Sequence, residues 1–177
     1  PKLCISLHKI ENMHYILTLS YRGAGLSGWQ VQNNAVTVQG ELDRALGILF
    51  RTPVQTTGAG RTDTGVNAVN YVCDFETPEP LHLTKQDFLY KINAITRKEI
   101  VVHDICAEGE CGFMTSGEYP FNSRFSAKSR VYRYFLHSAK DPFAEGFSWR
   151  CPWPLDVDQM NRAATLLLGE HDFSCFE

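Results

Sequence analysis

No stretch of this 177-residue chain approaches the roughly 20 consecutive apolar residues needed to cross a bilayer, and its first residues lack a signal-peptide pattern. A cytoplasmic protein with no membrane partner is expected. Paired cysteines are also lacking. The six, Cys4, Cys73, Cys106, Cys111, Cys151 and Cys175, form no CxxC pair and adjoin no His doublet at zinc spacing. They read as free buried thiols, and no metal site is expected. Repeats and low-complexity tracts are missing as well. Nor is there an excess of basic charge, since 17 Lys and Arg face 20 Asp and Glu for a net charge of −3. That balance alone does not announce a nucleic-acid partner. Phosphates, however, respond to local patches within about a Debye length, roughly 10 Å. Between Phe121 and Ser138 lie Arg124, Lys128, Arg130 and Arg133 with no acidic residue, a candidate phosphate-facing strip.

What is present is an ordinary globular composition, 44% hydrophobic and 21% charged, enough to bury a core. From His14 to Tyr21 the sequence alternates, with Tyr15, Leu17, Leu19 and Tyr21 on one side, as in a half-buried strand. Val38, Leu42, Ala45, Leu46 and Leu49 recur at helical spacing, so Thr37 to Phe50 reads as an amphipathic helix ended by Pro53. Val54 to Thr57 and the alternating Val69, Tyr71, Cys73 and Phe75 read as the second and third strands. Thr84 with Asp87 opens a second helix faced by Phe88, Leu89, Ile92 and Ile95, and Ile100 to Ile105 is a fourth strand. The order β-α-β-β-α-β is that of a ferredoxin-like α+β domain with an antiparallel sheet.

Residues 1–13 read as an N-terminal extension and residues 14–110 as this first domain. Cys106 to Pro120 looks like a linker or surface loop. Arg130 to His137 is expected to be another strand, with Tyr132 and Tyr134 on one face. Asp156 and Gln159 open a helix carrying Val157, Met160, Ala163, Ala164, Leu167 and Leu168 and closed by Gly169. One strand and one helix make no domain, so residues 111–177 read as the incomplete start of a second α/β domain.

The chemistry concentrates in Gly58-Ala59-Gly60-Arg61-Thr62-Asp63-Thr64-Gly65-Val66-Asn67-Ala68, where three glycines surround one Arg and one Asp between two strands. Such a loop can hold a carboxylate rigidly at a cleft while Arg61 and backbone amides approach a phosphate or ribose. The plain alternative is a hairpin whose Asp63 caps a turn. The segment lacks the Lys-Ser/Thr end of a P-loop and opens no helix, which weighs against a nucleotide hydrolase.

This loop resembles, almost letter for letter, the hallmark of the TruA family of tRNA pseudouridine synthases. Tyr21-Arg22-Gly23 with Ser27-Gly28-Trp29-Gln30-Val31-Gln32 is similar to the family's opening strand and Gly-Trp-Gln turn. Arg124-Phe125-Ser126-Ala127-Lys128-Ser129-Arg130-Val131-Tyr132-Arg133-Tyr134 resembles its basic, tyrosine-bearing strand, and Leu168-Gly169-Glu170-His171-Asp172-Phe173 a later helix end. The resemblance covers nearly the whole chain. Asn67 stands where the family more often has His, Thr64 where Ala is common, and Ser123 where Ala or Pro is usual.

The resemblance implies an isomerase that turns uridine into pseudouridine in the anticodon stem-loop of tRNA, without cofactor or metal, as a homodimer. Asp63 would be the catalytic carboxylate, attacking sugar or base, stabilising a cationic sugar or helping to form a glycal. Tyr132 would stack on the target base, and Arg61 would hold the flipped nucleotide or its phosphate. Arg124, Lys128, Arg130 and Arg133 would contact phosphates by shape. The family's second domain also supplies a further strand with a basic residue that pairs with the catalytic carboxylate, and this chain does not contain it. The rival reading is a non-catalytic RNA-binding module, although the third strand, Asn70 to Phe75, lacks the aromatic RNA-binding signature of such proteins.

Overall fold

The computed structural model describes residues 12–111 and 120–176. They fall into two compact units, one ending at Arg130 and the other starting at Val131.

In the first unit β1 (Met13–Tyr21), α1 (Val38–Phe50), β2 (Thr56–Gly58), β3 (Ala68–Thr77), α2 (Lys85–Ile95) and β4 (Ile100–Ala107) follow in order. The four strands form one sheet in the order β2-β3-β1-β4, every pair antiparallel. In β1 the period-2 pattern delivers Tyr15, Leu17, Leu19 and Tyr21 to one face. There they meet Cys73 and Phe75 of β3, Ile100, Val102 and Ile105 of β4, Val38, Leu42, Ala45 and Leu46 of α1, and Phe88 and Ile92 of α2. Each large side chain so buried contributes roughly 2 kcal/mol. The second helix starts where the sequence placed its cap, and Thr37, expected as the first residue of the first helix, is its cap. Thr37 accepts from the Gly40 amide and Thr84 from the Asp87 amide, each satisfying an otherwise orphan N–H. Arg51, in the left-handed conformation at φ 54°, ends α1 two residues ahead of Pro53.

The opposite face of the sheet has a cover that the sequence did not reveal. A short strap, Phe121 to Ser126, contains the one-turn helix α3 (Ser123–Ser126) and packs against β2 and β3. It is tied down by carboxylates. Asp74 accepts from the Ser123 amide at 2.7 Å, and Glu108 accepts from the Phe121 amide at 2.5 Å. His14 stands between the two acids, at 2.9 Å from Asp74 and 2.7 Å from Glu108. Its hydrogen bond to Asp74 outweighs the opposing effect of burial and, with Glu108, raises its pKa from 6.5 to about 9. Burial pushes the Glu108 carboxyl up, but the Phe121 amide and His14 together hold it below the ordinary value.

Two expectations are corrected here. Cys106 and Cys111 form a disulfide, so not all the thiols are free. Their spacing of five matches no metal or redox motif, and it is the turn after β4 that brings their Cα atoms to 5.6 Å. Cys73 and Cys151 are buried free thiols, whereas Cys175 is free but exposed. The strand expected over Arg130 to His137 shrinks to β5 (Leu136–His137), which pairs in parallel with β6 (Trp149–Arg150). A strand needs a ladder partner, and among the described residues only β6 provides one. Much of the expected linker, residues 112–119, and most of the N-terminal extension lie outside the described residues.

The second unit continues with α4 (Val157–Thr165), capped by Asp156 accepting from the Gln159 amide. The helix stops three residues before the expected Leu168, while Gly169 does take a positive φ of 105°. Its apolar side chains, Val157 and Met160 among them, are exposed.

Candidate active site

The segment connecting β2 to β3, residues 59–67, contains no helix. Its base is continuous with the ladder, Gly58 pairing with Cys73 and the Ala59 amide donating to the Val72 carbonyl at 2.9 Å. Its tip is gripped by the segment after β1. The Trp29 amide donates to the Thr62 carbonyl at 3.0 Å, the Gly65 amide to the Leu26 carbonyl at 3.3 Å, and the Gly23 amide to Asn67 Oδ1 at 2.8 Å. Beneath it the Tyr21 and Thr62 hydroxyls lie 2.9 Å apart. The two backbones approach so closely that glycine is required. A Cβ on Gly28, whose φ is +80°, would sit 2.4 Å from the Thr62 carbonyl oxygen, and one on Gly23 would sit 2.3 Å from that of Val66.

Beside this contact opens a pocket of about 450 Å³ lined by Ser27, Gln30, Val31, Gln32, Arg61, Thr62, Asp63 and Thr64. Asp63 and Arg61 are both solvent-exposed. Among the described residues neither the carboxylate nor the guanidinium takes part in a hydrogen bond or ion pair. The Asp63 main-chain carbonyl accepts from the Val66 amide at 3.2 Å, closing a turn, but its side chain caps nothing. A rigid loop thus presents a free carboxylate and a free guanidinium to one cavity, with hydroxyls and side-chain amides around them. A carboxylate so held can act as a nucleophile or steady a developing cation, and the guanidinium can take a phosphate.

No protein-family model matches the chain. Comparison with curated proteins does find relatives. A tRNA pseudouridine synthase A from Fervidobacterium nodosum is 38% identical over 162 residues, covering 90% of this chain and 62% of its own length. The proteins of that name from Chlorobaculum tepidum and Parabacteroides distasonis are 40% and 36% identical, over 61% and 60% of their lengths. The chain is a relative of tRNA pseudouridine synthase A. It spans about three-fifths of the length of these relatives.

Of the residues that the TruA resemblance singles out, Asp63 and Arg61 share the pocket wall. Arg124 lies on α3, exposed, with its guanidinium 5.4 Å from the centre of the Phe125 ring. Lys128 is exposed in the same unit. Arg130 turns back to the loop, donating to the Ala59 carbonyl from Nε at 2.9 Å and to the Arg124 carbonyl from Nη2 at 3.1 Å. None of these three lines the pocket. Tyr132 and Arg133 belong to the second unit, where both are exposed and outside any ladder.

The Gly-Trp-Gln turn contributes more than its motif announces: Ser27, Gln30, Val31 and Gln32 form half of the pocket lining, while Trp29 is buried. The available signal was the pair Gly23 and Gly28, the two positions where this segment passes close to another backbone. Tyr71 was read only as a strand residue. Its ring does lie in the interior, 4.4 Å from that of Trp29, but its hydroxyl donates to the Gly60 carbonyl and accepts from the Gly60 amide at 3.3 Å.

Proposed function

We propose that this chain carries the aspartate-bearing part of a tRNA pseudouridine synthase, an isomerase acting on uridine in the anticodon stem-loop of tRNA. In that reaction the C1′–N1 bond of uridine breaks, the base turns, and C1′ is joined to C5. The C5 proton leaves and N1 ends protonated, so the atoms balance with no redox partner. Asp63 meets the requirement for a fixed negative charge beside C1′ or the base, as nucleophile or as stabiliser of positive charge. Arg61 would hold a phosphate of the flipped nucleotide, offsetting an unstacking cost of a few kcal/mol. By the motif match alone, Tyr132 would stack on the target base, and Arg124, Lys128 and Arg133 would contact tRNA phosphates. On this reading the first unit is a ferredoxin-like domain, residues 111–177 begin a second domain, and the protein works in the cytoplasm as a homodimer.

The observation that carries the proposal is the unpartnered Asp63 carboxylate, which shares the wall of an open pocket with Arg61 on a loop held through Thr62, Gly65, Val66 and Asn67. The relatives' shared name supplies the reaction. The test is Asp63→Asn in the full-length protein, which keeps the shape of the side chain and removes its charge. Pseudouridine formation should disappear while tRNA affinity stays within about tenfold, roughly 1.4 kcal/mol. Turnover near the wild-type rate would remove Asp63 from the chemistry.

A further inference from the structure

We propose that Arg130 is a positioning residue for the Asp63 loop, acting with Tyr71 as a clamp on the Ala59–Gly60 peptide. This inference rests on the role given to Asp63 above. A basic residue in a basic strip is ordinarily read as a phosphate contact. Here the guanidinium is already engaged, its Nε and Nη2 both donating to the carbonyl oxygen of Ala59 and its Nη2 also reaching that of Arg124. The Ala59 carbonyl and the Gly60 N–H are the two ends of one planar peptide group. Arg130 holds the first end, and the Tyr71 hydroxyl accepts from the second at 3.3 Å. The same hydroxyl donates to the Gly60 carbonyl, holding the next peptide as well.

A peptide group held at both ends cannot rotate freely about its flanking bonds; Arg61 follows it directly and Asp63 two residues later. The two halves of the clamp have different anchors. Tyr71 is fixed by packing on Trp29 and Tyr21, with ring centres at 4.4 and 5.6 Å. Arg130 is fixed by the Arg124 carbonyl, on a strap itself held through the Ser123 amide by Asp74. Contacts thus run from the far face of the sheet to the Ala59–Gly60 peptide, three residues before Asp63.

A clamp and a phosphate contact respond differently to substitution. Lysine keeps the charge that a phosphate needs but cannot make the fork that spans two carbonyls. In the full-length protein, Arg130→Lys and Arg130→Met should both lower kcat by about tenfold or more, because small misplacements of a catalytic group are costly. KM should change less than about twofold, and the salt slope of tRNA binding should not change. Tyr71→Phe should lower kcat in the same way. If lysine restored wild-type kinetics, or methionine reduced the salt slope by about one with kcat intact, Arg130 would be an RNA contact and the clamp would be wrong.

A second readout needs no activity. Trypsin cleavage after Arg61 should accelerate several-fold in Arg130→Met with no change in the thermal midpoint, and unchanged cleavage would overturn the clamp. Should the wild-type protein form no pseudouridine, the reaction assigned above would fail, and the cleavage rates would still decide the clamp.

Discussion

Asp63 and Asp74 lie at the tip and on the second strand of one β-hairpin and have opposite fates. Asp74 is 6% exposed, accepts from the Ser123 amide and pairs with His14. Asp63 is exposed, and its carboxylate touches no partner among the described residues. The fold spends one acid on holding itself together and keeps the other unsatisfied. A buried carboxylate must be paired or it destabilises the protein, whereas one that is to react must keep its lone pairs available.

The contrast can be broken most directly from the structural side. Asp74→Ala leaves the Ser123 N–H without its acceptor and His14 with only one acid. It should cost about 3 kcal/mol of folding stability, read from denaturant unfolding. A loss below about 1 kcal/mol would show that the strap does not need this anchor.

The next test uses pH. The folded-state pKa of His14 lies above its unfolded value of 6.5, so the stability it brings is fully present below 6.5 and is lost as pH rises through about 9. Stability should therefore fall by up to about 3 kcal/mol between pH 7 and pH 10. The part of that loss that is absent in His14→Gln measures this cluster.

The smallest effect is expected at Asp63 itself. Asp63→Asn should change stability by no more than about 0.5 kcal/mol, as for a surface residue away from any special contact. A larger loss would mean that the carboxylate has a structural partner.

Much of the first unit was legible because its signals are local. Alternation in β1 and β3, helical spacing in α1 and α2, and the cap Thr84 each depend on residues only a few positions apart, as does Asp156 in the second unit. The four strands form the antiparallel sheet that this series of elements led one to expect, in the order β2-β3-β1-β4. Asp63 and Arg61 stood out because their loop combines glycines with charge.

What was not legible depends on distant partners. Nothing near Ser123 announces that its amide will meet Asp74, 49 positions away. The charge on Arg130 points to a phosphate, while the acceptors it meets within the first unit, the main-chain carbonyls of Ala59 and Arg124, have no sequence signature. The strand expected over Arg130 to His137 has the right alternation, but alternation describes a face and does not supply a partner.

The contact between Gly23, Gly28 and the Asp63 loop also shapes how this sequence can change. An added Cβ at either glycine would meet main-chain atoms, the carbonyl oxygens of Val66 and Thr62. Every residue type has that carbonyl, so no substitution at 62 or 66 can make room. In a library of variants these glycines should therefore lack second-site suppressors at the positions they touch, whereas overpacking between two side chains can be relieved by trimming the partner. The two segments are coupled through atoms that mutation cannot alter, and a recombinant joining them from different parents would succeed only where both glycines are retained.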